Sequence, residues 1–201
     1  MKKSILKLNF ILPFIFALIP VFMLAQSAEK GKIGLNYSLN GGTSVLQPTL
    51  EGAASHTITH ASAFGLTYLK PINNWLEWET GLTYTLFKIT TTSAPLPEVT
   101  TRHSSMSLLD IPVGVRAGFW KYFFANGGLL LDLDMMSDSP VSSQSGIGGM
   151  LGAGVKYDFN FGGSLFVNPY VKMHSILPFS MNSSHDRILE SGIKFGVMYR
   201  L

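Results

Sequence analysis

The chain reads as all-β: an eight-stranded, antiparallel, up-and-down transmembrane β-barrel. Three observations predict it. Eight segments alternate apolar and polar residues, the connections between them alternate in length, and the whole chain, which opens on an export signal, is 46% hydrophobic but only 13% charged. A soluble globular domain carries about 25% charged residues, so a large part of this surface is expected to face something other than water.

Residues 1–25 are set apart from the fold. Lys2, Lys3 and Lys7 precede an apolar run from Phe10 to Met23, and Leu24-Ala25 ends it on a small residue. This is the layout of a secretory signal peptide, expected to be cut after Ala25, which leaves residues 26–201 as one barrel domain. Cleavage removes three of the 15 basic residues and none of the 12 acidic ones, so the exported chain is formally neutral. The sequence pI near 9.1 therefore belongs to the signal, and a nucleic-acid partner loses its support. With no Cys, neither a disulfide scaffold nor a lipid anchor on Cys is available.

Period-2 alternation, in which every second side chain shares a face, marks strands at about 31–40, 58–70, 75–90, 105–119, 121–134, 146–159, 164–176 and 186–201. In the fourth, Leu109, Ile111, Val113, Val115, Ala117 and Phe119 oppose Asp110, Pro112, Gly114, Arg116 and Gly118. In the sixth, Ile147, Leu151, Ala153, Val155, Tyr157 and Phe159 oppose Gly148, Gly152, Gly154, Lys156 and Asp158; the last repeats the pattern. One face is apolar and the other mixes charge with glycine. Connections run long at 41–57, 91–104, 135–145 and 177–185, and short at 71–74, about 120 and 160–163. A membrane barrel with short periplasmic turns, long extracellular loops and both termini in the periplasm requires this order. Aromatics collect at the short-turn end: Tyr68, Trp75, Trp78, Trp120, Tyr122, Tyr157, Phe159 and Tyr199 are expected to form a girdle at the headgroup level.

The stretches LEWETGLTYT, LLDIPVGVRAGF and FFANGGLLLDL carry Gly81, Leu82 and Tyr84, then Leu109, Asp110, Ile111 and Pro112. In these, and in the ending GIKFGVMYRL, the chain resembles the PorT-type outer membrane β-barrel family of Bacteroidota, with Leu108 where the family has an aromatic and Leu201 as a non-aromatic terminus. The resemblance implies an outer-membrane location and a role in secretion, adhesion or assembly; it brings no catalytic residues.

The inward polar face collects Lys32, Glu77, Glu79, Asp110, Arg116, Asp132, Asp134, Lys156, Asp158, Lys172, His174, Glu190, Lys194 and Arg200. An eight-stranded barrel is only wide enough for its side chains to fill, so these are expected to be an interior ion-pair network, with Arg116 on Glu77 or Glu79, rather than an ion path. The outer group has an acidic excess, but carboxylates without ligand spacing do not define a metal site, and no metal or cofactor is expected. His60 with Ser62, His103 with Ser105, His174 with Ser175, and Ser184 with His185 and Asp186 supply the atoms of a lipid A-modifying barrel enzyme, yet no spacing shows a base reaching a nucleophile. The sequence reading is a non-enzymatic barrel in outer-membrane lipid whose loops at 41–57, 91–104, 135–145 and 177–185 offer surface to a protein partner. A barrel enzyme or a narrow solute or ion pore is the alternative.

Overall fold

A computed structural model describes residues 30–46, 55–92, 101–136, 143–179 and 187–201. The expected signal peptide at 1–25 lies outside the described residues. Eight strands, β1 (Lys32–Leu46), β2 (Ser55–Pro71), β3 (Leu76–Thr92), β4 (Thr101–Phe119), β5 (Phe123–Asp134), β6 (Gly146–Asp158), β7 (Gly163–Pro178) and β8 (Arg187–Arg200), pair with their sequence neighbours. Every ladder is antiparallel, and β8 closes on β1 from Lys32↔Arg200 to Leu46↔Arg187. Closure leaves no free sheet edge over the paired height, the condition for carrying backbone polar groups through hydrocarbon.

The alternation sets the two faces. Outward, Leu35, Phe64, Leu82, Leu129, Leu151, Leu165, Phe195 and Val197 are all exposed, Leu151 to 73%. Such a continuous apolar exterior is far beyond the isolated apolar residues of a soluble surface. At the short-turn end the girdle aromatics touch one another: Trp120, which is 85% exposed, packs edge-on to Phe119 and Phe123, and Tyr122 stacks on Tyr157, which meets Phe159. Trp75, Tyr157 and Tyr199 are exposed, while Tyr68, Trp78 and Phe159 are half-buried. The short turns have local causes. Asn73 accepts the backbone N–H of Trp75 and Leu76 through its side-chain oxygen, and Gly162 takes the left-handed φ of +93° that its turn needs.

The strands run further than alternation alone indicates. Residues 41–46 of the expected first loop belong to β1, and 55–57 to β2. Thr91 and Thr92 extend β3 and pair with Arg102 and Thr101 of β4, so the expected second loop, 91–104, gives up residues at both ends to strands; Leu177 and Pro178 likewise belong to β7. The Gly41-Gly42 pair breaks hydrophobic alternation, and the Thr and Ser residues of β3 and β4 carry no apolar stripe, although Thr fits a pleated surface well. Pairing between β1 and β2 stops at Leu39↔Ser62, just where bulges interrupt β1 at Asn40/Gly42 and β2 at Ile58/His60. Above that level the two strands part, and Val45 and Ile58 from their inner faces pack on an apolar cluster in the lumen.

Candidate functional site

The lumen is a stack of layers. Nearest the short turns, Lys32 on β1 reaches Glu77 of β3 at 3.3 Å and Asp158 of β6 at 3.5 Å, and Lys156 reaches Asp158 at 3.5 Å. Ser164 donates its hydroxyl to the same carboxylate. This rim layer is partly wet, the Asp158 side chain keeping 35% of its surface.

Above it lies a dry layer built round Arg116. Its guanidinium meets Glu79 two-pronged, Nε to Oε2 at 3.1 Å and Nη2 to Oε1 at 3.0 Å. The flat cation also lies 4.4 Å from the Phe124 ring and 5.1 Å from the Phe166 ring, which pack with Leu69 and Met198. Asn126 donates to Glu79 Oε2 at 3.1 Å, and Asn168 donates to Asn126 at 3.1 Å. Arg116 is opposite Glu77 in register, yet its partner is the diagonal Glu79: β3 alternates so that both face inward, and the longer reach finds the drier carboxylate. A paired fork geometry of this kind is what allows both charges to be 1–2% exposed. Lys194 follows on β8, its ammonium 5.6 Å from the Tyr170 ring.

Next comes a second charged layer, made by β4, β5, β7 and β8. Lys172 donates to Asp110 Oδ2 at 2.9 Å and lies 3.6 Å from Glu190. Tyr170 gives its one hydroxyl proton to Glu190 Oε1 at 2.6 Å and contacts the side chain of Asn40 at 2.5 Å, across from β1. His174 Nε2 lies 3.1 Å from Glu190 Oε2, while its Nδ1 faces Asp132 Oδ1 at 3.2 Å and Asp110 Oδ1 at 3.8 Å. Asp110 and Asp132 sit opposite each other in register, and the missing Cβ of Gly148 is what makes room for Asp132, since a Cβ there would stand 2.6 Å from its Oδ2.

A bulge aims the histidine. Between Ile147↔Leu177 and Gly149↔Met173, β7 spends three residues, His174, Ser175 and Ile176, against the single Gly148 of β6. Ser175 takes φ +50°, an uncommon value for a side-chain-bearing residue, so His174 and Ser175 both turn inward and are fully buried. The Ser175 N–H donates to Asp132 Oδ2 at 3.0 Å. Asp110, Asp132 and His174 thereby bring three ligand atoms within 4.8 Å of one another.

The top of the lumen is apolar: Ala61, Phe87, Ile89, Met106, Leu108 and Ile188 form a buried cluster, with Phe87 edge-on to His174. This corrects the expectation of an inner face made of charge and glycine alone. Three site assignments also change. Lys194 is buried in the lumen, but it lies on the Tyr170 ring with no carboxylate within ion-pair distance among the described residues. Arg200 has the inward phase, but it ends β8 at the rim, is exposed to water and makes no ion pair among the described residues. Asp134 ends β5 half-buried and works on the chain beyond it, accepting the N–H of Met136 at 3.0 Å and of Gln144 at 3.3 Å. Of the catalytic pairs, His103 lies on the outer wall bonded to the Thr90 hydroxyl at 3.1 Å, His60 is exposed, His174 and Ser175 are sealed inside, and His185 and Asp186 lie outside the described residues.

Alternation missed Tyr170, Asn126 and Asn168 as interior ligands of the charged groups, although Phe166, Asn168, Tyr170 and Lys172 share one phase on β7. The apolar plug had a signal too: Leu86-Phe87 and Leu108-Leu109 are consecutive apolar residues that place bulk on both faces.

No protein-family model matches the chain, and no curated protein does. Solved structures match its fold. The outer membrane protein OprG from Pseudomonas aeruginosa superposes with a TM-score of 0.50 at 14% identity, covering 88% of this chain and 98% of that one. The outer membrane protein AlkL, solved in DMPC lipid bilayers, gives 0.52 at 13% identity, covering 88% and 94%. The chain thus has the fold of small outer membrane β-barrels, eight strands closing up-and-down.

Proposed function

We propose that this is an exported protein of a Gram-negative outer membrane, a sealed and non-catalytic barrel that holds its long loops toward a protein partner outside the cell. The observation that carries the reading is the filled lumen. Two dry charged layers, whose Arg116, Asp110, Asp132, His174 and Glu190 are at most 1% exposed, lie beneath a plug of fully buried Phe87, Met106, Leu108 and Ile188. A solute path would have to break buried ion pairs, each break costing about 3–5 kcal/mol.

The apolar exterior, the girdle at one end and the likeness to outer membrane barrels support the location. The finer placement among PorT-type barrels rests on the run Leu109-Asp110-Ile111-Pro112, which sets its acid into the upper charged layer and its Leu and Ile on the lipid side. The four long connections leave from one end of the barrel, the arrangement that suits recognition by loops on a rigid scaffold.

The test uses the full chain in cells. Outer-membrane fractionation with a heat-modifiable gel shift, unchanged lipid A mass spectra, and surface cross-linking to one defined partner that is lost when 47–54 is deleted are the expected results. A soluble chain, altered lipid A, or cross-linking indifferent to every loop deletion would overturn the reading.

A further inference from the structure

We infer that the upper charged layer is a metal site, holding one divalent transition-metal ion such as zinc between Asp110 Oδ1, Asp132 Oδ1 and His174 Nδ1. Asp110, Asp132 and His174 each bring a ligand atom within 4.8 Å of the others, and Asp110 Oδ1, Asp132 Oδ1 and His174 Nδ1 are buried without a hydrogen-bond partner. The two separations from Nδ1, 3.2 Å and 3.8 Å, bracket the roughly 3.4 Å edge of a tetrahedron with ligands at about 2.1 Å, the usual bond length of zinc to imidazole and carboxylate.

Each ligand is held from behind by a separate group. His174 Nε2–H points to Glu190 at 3.1 Å, which places the lone pair on Nδ1 and turns it toward the two carboxylates. Lys172 anchors the far oxygen of Asp110 at 2.9 Å, and the backbone N–H of Ser175 anchors that of Asp132 at 3.0 Å. The left-handed Ser175 and the three-residue bulge give this region a local distortion that the hydrogen bond to Asp132 and the inward turn of His174 explain together. Charge fits as well. With a neutral imidazole, the dry lumen sets Glu79, Asp110, Asp132 and Glu190 against three cations, Arg116, Lys172 and Lys194, so a bound cation supplies positive charge that the side chains lack. One imidazole nitrogen with two carboxylates suits zinc or manganese better than calcium, which takes oxygen ligands. The competing arrangement is a doubly protonated His174 paired with both carboxylates. Its Nδ1–H would then donate to Asp132 or Asp110, and neither approach has that geometry.

Because the ligands are sealed, the ion enters as the barrel assembles and stays until it unfolds. The test is the metal content of the full-length protein folded in detergent with zinc and then washed with EDTA. About one zinc per chain should survive washing, be released by urea, and be replaced on refolding with cobalt by a visible imidazole–carboxylate spectrum. Asp132→Asn with His174→Gln, in the fraction that shows the folded gel shift, should keep less than a tenth of that zinc, whereas His60→Ala with His103→Ala should keep all of it. Wild-type protein that loses its zinc to EDTA while still folded, or that gives no cobalt spectrum, would overturn the site even if the inner variant fails to fold. So would zinc retained by that variant or lost with the outer histidines.

Discussion

The two dry charged layers, stacked in one lumen, solve the burial of ions differently. Around Arg116 the charges are matched: one guanidinium, one carboxylate met two-pronged, two aromatic faces and a chain of amides. Around His174 three carboxylates have one ammonium, Lys172, within ion-pair distance, and three buried ligand atoms converge without hydrogen bonds. The difference teaches that burial and charge density do not by themselves identify a site. What distinguishes the upper layer is the geometry left over after every available pairing has been made.

The sharpest break of this comparison is Glu79→Ala. It leaves Arg116 charged and buried without its carboxylate, and the barrel's unfolding free energy in urea should fall by about 3–5 kcal/mol. Glu79→Gln combined with Arg116→Met should recover most of that loss, because a neutral, well-filled layer tolerates the missing pair. The wall should respond next. Leu151→Arg puts a charge on the lipid-facing side of β6 and should cost about 2–4 kcal/mol in lipid vesicles, with a smaller loss in detergent.

The upper layer should be more forgiving once metal is withheld. Asp132→Asn removes one of its crowded carboxylates while an amide oxygen can still accept the Ser175 N–H. In chelator its stability should stay within about 1 kcal/mol of the parent, the scale of one hydrogen bond. A loss as large as that of Glu79→Ala would erase the distinction between the layers. The smallest effect is expected at Thr85, buried between the upper layer and the plug. The chain has no Cys, so Thr85→Cys is a clean reporter, and it should stay unlabelled by a charged thiol reagent from either side while a Cys at exposed Thr57 reacts at once.

How much of this was legible in the residues follows from what alternation encodes. Period-2 patterning assigns each side chain to a face, so the wall, its apolar exterior and the inward phase of Glu79, Asp110 and Arg116 could be read directly. The choice of Glu79 over Glu77 could not, because both share a phase and the decision lies in depth and dryness. The bulge at His174–Ile176 depends on how β7 meets Gly148 of β6, a property of two strands together. The plug was obscured for a related reason: Phe87 and Leu108 look the same in sequence as the lipid-facing Leu86 and Leu109 beside them. Strand ends were lost where Gly41-Gly42 and the Thr-rich ends of β3 and β4 carry pairing without an apolar stripe.

The central claim is that the lumen is closed by these layers, and single-channel recording of the full-length barrel in a planar bilayer tests it most directly. The account predicts no stepwise current from folded wild-type protein at any applied potential. Regular, reproducible conductance steps from that protein would contradict it.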